Sequence, residues 1–391
     1  MDTVVPAFGN HLPVKIRFGD GRSAELPGVL AELGTSRAFV MVDEGIDKFN
    51  PAVATLLADL AATEGLTVTK FEKPAGEPTI EMVDDAIASL AAADCQVVVA
   101  IGGGSVIDTA KAARLCADQG LTFREFLASE RNYPVATIPL VALPTSAGTG
   151  SEVSGGAVVS DPDAGRKAGI ANANLRATVA IVDPVLTHSM PPSMTANTGI
   201  DALAQAIAGM VAKCRTPIGD AIALEAVRLM GLSLVAAFRD GTDTVARSRM
   251  SCASMMAGLT MNLSDCTAEH SLGQAIGGVK HVPHGLTIGL VLVQTLERER
   301  HYVPEQLERV ADALGAPDDG SKNGSRAVRA IEKILADLDF PVLSSLGITE
   351  GDVDHLADLA LEDFFITMAP EPWSHDEVRD AFMSALALTS R

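Results

Sequence analysis

The sequence predicts an α/β domain followed by an all-α domain. In the first half, short apolar runs rich in β-branched residues alternate with helical periodicity, as in a parallel sheet covered by helices on both faces. From about Pro191 onward, almost only helical periodicity remains. The 391 residues, 47% of them hydrophobic, are enough for more than one sizeable core. We therefore expect one domain at 1–187 and a second at 188–391.

The elements of the first domain follow from apolar runs bounded by turn residues. Gly34 ends a first short helix, and Thr79 caps a later one. The turn signal Asp161-Pro-Asp-Ala-Gly165 predicts a β-hairpin. The predicted strands are 14–18, 37–42, 67–71, 96–101, 140–143, 156–160, 167–171 and 177–182. The predicted helices are 27–33, 52–64, 79–92 and one that follows the glycines at 102–104.

The second domain is predicted from apolar residues at helical spacing. Its helices are expected at 194–212, 219–238, 244–259, 266–276, 286–297, 304–314, 326–338, 350–361 and 375–388. The stretch 364–373 is rich in aromatic and proline residues and either borders a binding cleft or belongs to the core.

Composition excludes several function classes. A formal net charge of −20, with one Trp and two Tyr, argues against a nucleic-acid surface and against anionic membranes. The N-terminal residues lack the basic and apolar regions of a signal peptide, and we find no uninterrupted apolar run of membrane-spanning length. Five scattered cysteines are typical of reduced thiols. We expect a cytoplasmic protein.

The stretch 96–111 is an apolar strand followed by three glycines and a helix. In this arrangement, backbone N–H groups and a helix N-terminus are available to an anion such as a phosphate. An ordinary tight turn between strand and helix has the same pattern. A second loop of glycines and hydroxyl residues, 144–154, directly follows another predicted strand.

The helical half contains candidate metal ligands. Asp201 and Gln205 are four residues apart in a predicted helix, so that both side chains project from one face. His270 has Gln274 one turn after it, and His284 lies in a turn before an apolar helix. Asp and His side chains in apolar surroundings suit Zn²⁺ or Fe²⁺. Taken alone, the same residues fit a helix cap and hydrogen-bonded core histidines. Among the remaining histidines, His281 is close enough in sequence to line a pocket.

Five motifs occur along the chain in a fixed order. They are Gly-Gly-Gly-Ser-x-x-Asp-x-Ala-Lys at 102–111, Pro-Thr-x-x-Gly-Thr-Gly-Ser-Glu at 144–152, Asp-Pro at 183–184, Gly-x-Asp-Ala-Leu at 199–203 and Pro-His-Gly at 283–285. In this order and spacing, the chain resembles the iron-containing (group III) alcohol dehydrogenases over nearly its whole length. The resemblance implies a Rossmann-like dinucleotide-binding domain and an all-α domain, the dehydroquinate synthase-like fold, with the active site in the cleft between them.

The resemblance also implies a metal site. Asp201, His270 and His284 match three of the family's four metal-ligand positions, and Gln205 matches the fourth, where better-studied members have His. Gln274 falls where those members have a His thought to assist proton transfer. Because glutamine offers only a neutral carbonyl oxygen, three alternatives stay open. Gln205 is a weak ligand, or three protein ligands and water hold the metal, or the metal is lost.

The resemblance assigns the cofactor-binding residues as well. By this resemblance, the pyrophosphate is bound by Gly102, Gly103, Gly104 and Ser105. Asp108 belongs to the same cofactor-binding motif. The nicotinamide half of the cofactor is expected to contact Thr145, Ser146, Thr149 and Ser151. Asp43 ends the strand after which an acidic residue commonly binds the adenosine ribose, so we expect NAD in preference to NADP.

The activity expected is hydride transfer between NAD and a small alcohol or its aldehyde or ketone, with Fe²⁺ or Zn²⁺ polarising the substrate oxygen. His270, His284 and Gln274 are the candidate catalytic residues. The alternatives are an oxo-acid reductase resembling maleylacetate reductases or hydroxyacid–oxoacid transhydrogenases, a dehydroquinate-synthase-like lyase, and an inactive binding protein. Lys280 is the candidate cation for an oxo-acid. The edge position of the first strand suits a homodimer or higher homo-oligomer.

Overall fold

The computed structural model describes residues 7–163, 166–280 and 282–389. The chain forms two compact units, one at Pro13–Met190 and the other made of the described parts of Met1–Leu12 and Pro191–Arg391. The sequence predicts domains at 1–187 and 188–391, whereas the first unit here ends at Met190 and the described residues before Pro13 belong to the other unit. His281 and the last two residues of the predicted hairpin turn, Ala164 and Gly165, lie outside the described residues.

The first unit alternates strands and helices. In chain order its elements are β1 (Lys15–Phe18), α1 (Leu26–Glu32), β2 (Arg37–Asp43), α2 (Ile46–Phe49), α3 (Pro51–Ala62), β3 (Thr67–Lys73), α4 (Ile80–Ala92), β4 (Val97–Gly102), α5 (Gly104–Ala117), α6 (Phe123–Ala128), β5 (Leu140–Pro144), β6 (Gly156–Asp161), β7 (Arg166–Ala171) and β8 (Val179–Val182). The sequence analysis does not predict α2 and α6, because helices of one or two turns leave no apolar period to recognise.

Six of these strands form a parallel sheet in the order β1-β8-β5-β4-β2-β3. Alternate residues of each central strand face opposite sides, so Val97 and Val99 pack with α1 and α3 whereas Val98 and Ala100 pack with α4 and α5. The strand order reverses between β2 and β4, and ligands of such sheets bind at the carboxyl ends of strands at this position. The predicted hairpin forms separately, as antiparallel β6 and β7.

The second unit is helical. Its helices are α7 (Pro192–Val211), α8 (Pro217–Arg239), α9 (Thr244–Ser264), α10 (Ala268–Lys280), α11 (His284–Glu299), α12 (Pro304–Ala313), α13 (Ser325–Asp337), α14 (Val353–Glu362) and α15 (His375–Leu386). Proline opens α7, α8 and α12, where its missing N–H costs no hydrogen bond. One prediction is wrong: His284 is the first residue of α11 and not part of a preceding turn, because Pro283 is the N-cap.

Helix α8 is long and apolar enough, by length and composition, to cross a membrane. Its most apolar window is 39% buried, and it packs against α7, α9 and α12. A core helix of a helical domain passes the same test, so the finding is weak evidence for a membrane span.

The core formed by α10, α11, α14 and α15 contains a buried carboxyl group. Glu299 on α11 is fully buried and accepts a hydrogen bond from the indole Nε1 of Trp373 at 2.9 Å. Burial raises the pKa of Glu299 to about 7, although the Trp373 hydrogen bond and the nearby Arg298 act in the opposite direction. The Arg298 guanidinium lies over the rings of Tyr302 and Trp373, at 4.4 and 4.7 Å from their centroids.

We expect Glu299→Gln to change how stability depends on pH. Since the pKa of Glu299 is raised on folding, its favourable contribution is present below pH 4.5 and is lost as pH rises through 7. The isosteric amide still accepts from Trp373 but does not ionise. Relative to the variant, the wild-type protein should lose about 2–3 kcal/mol of unfolding free energy between pH 4.5 and 8.5. Urea unfolding of both proteins at the two pH values measures this, and an equal difference at both would contradict it.

Candidate metal centre and cofactor site

Three side chains from separate helices converge in the helical unit. Asp201 lies in the middle of α7, His270 in the first turn of α10, and His284 at the start of α11. The Nε2 atoms of His270 and His284 lie 3.5 and 3.8 Å from Oδ1 of Asp201, and one donor atom from each residue lies within 4.8 Å of the others. Asp201 and His270 are only 1% and 3% exposed, whereas the His284 side chain is 30% exposed. His284 therefore forms the accessible side of the cluster.

The donor atoms of this cluster fit a divalent cation. Among the described residues, Asp201 Oδ1, His270 Nε2 and Gln205 Oε1 are buried without a hydrogen-bond partner. An unpaired buried polar atom is costly, and several on facing residues are rare unless a ligand satisfies them. Carboxylate oxygen and imidazole nitrogen are donors that Zn²⁺ and Fe²⁺ accept.

The electrostatics of the cluster favour positive charge. Burial alone would raise the pKa of Asp201, but His270, His284 and a hydrogen bond from Gln205 bring it below its ordinary value. Burial alone would lower the pKa of His270, yet Cys266, Asp201 and Glu269 raise it well above its ordinary value. Both pKa shifts indicate that the surrounding negative charge stabilises a positive charge at this site.

Close approach of α11 to α7 depends on Gly285. A Cβ at this position would lie 2.1 Å from the carbonyl oxygen of Asn197 and 3.1 Å from Cβ of Asp201. Only a residue without a side chain lets the first turn of α11 bring His284 to Asp201.

The two glutamines occupy different surroundings. Gln205 is buried one turn after Asp201 on α7, on the same face. Gln274 is half-buried one turn after His270 on α10, so it shares that helix face.

Lys280, the residue considered for an oxo-acid carboxylate, donates to the carbonyl of Gly347 at 3.3 Å.

The sequence analysis did not single out the residues that surround His270. Glu269, only 4% exposed, places Oε1 at 2.7 Å from Nδ1 of His270. Thr267 donates to this carboxylate through its backbone N–H and its hydroxyl. Cys266, one of five free cysteines, is buried beside His270, and the ring of Phe365 lies edge-on to the imidazole with centroids 5.7 Å apart.

The link between α9 and α10 has an unusual backbone. Asp265 has φ 63° and ψ −178°, a conformation that L-residues rarely adopt. Its carboxylate accepts a hydrogen bond from the N–H of Cys266 at 3.0 Å. The chain therefore turns sharply before the segment that presents His270.

In the first unit, the turn between β4 and α5 lies where the strand order reverses. Gly103 is the N-cap of the 14-residue helix α5, and no side chain in the described part of the chain caps this end. The backbone N–H groups at the N-terminus of α5, and the partial positive charge of that helix end, are thus available to an anion. Burial raises the pKa of Asp43 at the end of β2, while Lys73, at 3.3 Å, and the N–H of Gly103 partly offset this effect. Lys73 is itself held by the carbonyls of Pro74 and Gly76.

The loop after β5 packs closely on this turn. A Cβ on Gly104 would lie 2.7 Å from Cγ2 of Thr149, and one on Gly103 would lie 3.4 Å from Oγ of Ser146. The same turn continues into Ser105, the second residue of α5. Thr145, at the start of the loop, hydrogen-bonds through its N–H to the carbonyl of Gly102. Seven of the predicted cofactor-binding positions therefore lie together: Gly102, Gly103, Gly104, Ser105, Thr145, Ser146 and Thr149.

Two other predicted cofactor residues already have partners inside the fold. Ser151 donates to Asp108 at 2.5 Å and accepts from the buried Lys111 at 2.8 Å, while Asp108 also accepts from the N–H of Val158. Burial disfavours the charged form of both Lys111 and Glu152. It therefore lowers the pKa of Lys111 to about 8 and raises that of Glu152 to about 7. This network ties α5 to the loop and to β6. Direct contact of Asp108 and Ser151 with a cofactor stays a prediction.

Comparison with known proteins identifies the family. Residues 13–184 match the iron-containing alcohol dehydrogenases, and residues 195–386 match the C-terminal part of the Fe-containing alcohol dehydrogenase family. A choline dehydrogenase of Bacillus subtilis (strain 168) is 33% identical over 359 residues, 90% of this chain and 89% of that protein. An NAD-dependent methanol dehydrogenase of Bacillus methanolicus is 30% identical, covering 96% of this chain and 99% of that protein. A crystal structure of a 1,3-propanediol oxidoreductase superposes with a TM-score of 0.92 at 28% identity, covering 97% of this chain and 100% of that one.

The chain belongs to the iron-containing alcohol dehydrogenase family. The predicted resemblance, fold class and oxidoreductase activity on small alcohols are thereby confirmed. The predicted cofactors, NAD and a divalent metal, are confirmed at the level of the family.

We expect Gly285→Ala to weaken divalent-metal binding and to destabilise the helical unit. The added methyl group would overlap the Asn197 carbonyl, so α11 must move away from α7 and take His284 with it. Overpacking of this kind costs about 1–3 kcal/mol. Zn²⁺ titration calorimetry and urea unfolding measure the two effects. Gly351→Ala is the control, because its Cβ would make only an ordinary contact at 3.7 Å; unchanged Zn²⁺ affinity in Gly285→Ala would refute the argument.

Proposed function

We propose that this alcohol dehydrogenase holds a divalent metal, Fe²⁺ or Zn²⁺, on Asp201, His270 and His284, and interconverts a small alcohol with its aldehyde or ketone. The observation that carries the proposal is the convergence of donor atoms of these three residues, two of which, Oδ1 of Asp201 and Nε2 of His270, are buried without a hydrogen-bond partner among the described residues. Gln205 adds a neutral oxygen as a fourth, weaker ligand. When bound, the metal supplies Lewis acidity to a substrate oxygen.

The side chains around this site have distinct roles in the proposal. Asp201 supplies the negative charge, and the two neighbouring imidazoles keep it ionised although it is buried. His284, the more exposed of the two histidines, borders the side from which substrate enters. Gln274 has no titratable proton, so it orients substrate or water by hydrogen bonds and does not transfer a proton itself.

The first unit binds the dinucleotide in this proposal. The turn Gly102–Ser105 and the N-terminus of α5 bind the pyrophosphate through backbone N–H groups. Thr145, Ser146 and Thr149 contact the nicotinamide half, and the network around Lys111 holds their loop against α5. NAD supplies the hydride acceptor for alcohol oxidation.

Asp43 selects NAD over NADP in the proposal. Its carboxylate lies at the strand end where the adenosine ribose binds in such sheets, and it would repel a 2′-phosphate. Lys73 lies 3.3 Å from Asp43, so removal of the carboxylate would leave an unpaired cation at the same place.

The finer assembly and location also belong to the proposal. Strand β1 lies at one edge of the parallel sheet, which suits pairing with another subunit in a homodimer or higher homo-oligomer. The acidic surface and scattered free thiols support a cytoplasmic enzyme without nucleic-acid or membrane partners. Lys280, the candidate cation for the alternative oxo-acid substrate, hydrogen-bonds to the carbonyl of Gly347.

Removal of the metal tests the main proposal. We expect protein dialysed against a strong chelator to lose oxidation of small alcohols and to regain it on addition of about one equivalent of Fe²⁺ or Zn²⁺. NADH binding, followed by fluorescence, should persist in the metal-free protein. Full turnover by protein shown by elemental analysis to lack metal would contradict the proposal.

We expect Asp43→Ala to shift cofactor preference toward NADPH. The change removes a like charge and exposes the Lys73 ammonium to the 2′-phosphate. The ratio of kcat/KM for NADPH to that for NADH should rise at least about tenfold. Glu44→Ala, which removes the exposed neighbouring acid, is the matched control and should leave the ratio unchanged. Equal ratios in all three proteins would rule out this role for Asp43.

A further inference from the structure

The carboxylate of Glu269 lies on the side of His270 that faces away from Asp201. Its Oε1 is 2.7 Å from Nδ1 of His270, whereas Nε2 of the same ring is 3.5 Å from Asp201. The two ring nitrogens thus face two different carboxylates. Glu269 is as buried as His270 itself, and it does not belong to the three-residue cluster described above.

We propose that Glu269 is a positioning residue that holds His270 in the tautomer with hydrogen on Nδ1, leaving the Nε2 lone pair free to bind the metal. The inference rests on the proposed metal site. It concerns a residue that touches neither substrate nor cofactor, and it acts through His270 alone.

The hydrogen bonds around Glu269 determine where the proton lies. The backbone N–H of Thr267 donates to Oε1 at 3.2 Å, and the Thr267 hydroxyl donates to Oε2. Both carboxylate oxygens thus accept hydrogen bonds, as an ionised carboxylate does, and an ionised carboxylate can only accept a hydrogen from Nδ1 of His270. The position of Glu269 in the first turn of α10 further stabilises its negative charge.

The same geometry argues against a second metal ion on Cys266, Glu269 and His270. These three donors also lie within 4.8 Å of one another. However, the 2.7 Å separation between Glu269 and His270 is a direct hydrogen bond, and both carboxylate oxygens are already used by Thr267. Ligands of one tetrahedral ion at bond lengths of about 2.0–2.2 Å lie farther apart than this.

Glu269 has a particular importance in this chain because Gln205 is neutral. The ligand set carries one negative charge, on Asp201, and a glutamine oxygen replaces a basic imidazole. A carboxylate hydrogen-bonded to a ligating histidine raises the basicity of that ligand and fixes its ring orientation. Glu269 therefore strengthens the remaining imidazole where the fourth ligand is weak.

The test measures metal affinity and not turnover. Metal-free wild type, Glu269→Gln and Glu269→Ala are titrated with Zn²⁺ against a chromophoric chelator, and Co²⁺ spectra report the ligand environment. The amide of Glu269→Gln keeps both the shape and an acceptor for Nδ1, so it removes only the charge. We expect affinity to fall about tenfold in Glu269→Gln and up to about a hundredfold in Glu269→Ala. Glu299→Gln, which neutralises another fully buried glutamate of the helical unit, should retain wild-type affinity.

A double-mutant cycle separates positioning from general destabilisation. In a His270→Ala background, Glu269→Gln should have no further effect on Zn²⁺ affinity, because its effect passes through the imidazole. Circular dichroism and NADH binding show that each variant is folded. Equal affinity of wild type and Glu269→Ala, an undiminished effect in the His270→Ala background, or two Zn²⁺ ions bound per chain would each overturn the inference. Absence of Zn²⁺ binding by the wild type would instead reject the proposed metal site.

Discussion

The helical unit is organised by the need to bring the polar donor atoms of three helices close together. The donors lie on three separate helices, Asp201 on α7, His270 on α10 and His284 on α11. Each side chain is buried or half-buried where these helices meet. Their mutual attraction is small until positive charge is present, so apolar packing of α7, α10 and α11 must hold them in place. Gly285 is the clearest sign of this constraint, because it removes a side chain at the tightest contact.

In the first unit, backbone N–H groups are available to a ligand at the end of the fully buried strands β4 and β5. The turn after β4 leaves the end of α5 uncapped by any side chain of the described residues, and the loop after β5 covers it with small hydroxyl residues. Lys111 and Asp108 then join helix, loop and hairpin through groups that are buried and hydrogen-bonded. Asp108 and Ser151, which the sequence predicts as cofactor-binding residues, are thus used to hold the binding loop itself.

Periodicity predicts most of the fold, since strands of β-branched residues and helices with an apolar face carry their pattern locally. It cannot predict which distant residues become partners, such as Lys73 for Asp43 or Ser151 for Asp108. The sequence offers Asp201, His270 and His284 as candidate ligands but does not distinguish a metal site from a helix cap and core histidines, because residues separated by up to 83 positions have no recognisable spacing; only the family resemblance favours the metal site. Glu269 was overlooked although it precedes His270, because adjacent residues of a helix do not normally face one another. Their contact depends on the first turn of α10 and on Thr267, neither of which the spacing of apolar residues describes.

The sharp backbone bend at Asp265 means that the six residues from Asp265 to His270 form a self-contained unit. The bend, the carboxylate, the threonine that donates to it and the imidazole that it orients all come from one hexapeptide at the start of a helix. The entropy lost in fixing that ring is therefore paid during chain folding, before any cation arrives. Such a segment could be grafted onto the first turn of a designed helix, where it would hold its imidazole in a fixed orientation. Asp201 and His284, by contrast, are oriented only by the helices around them.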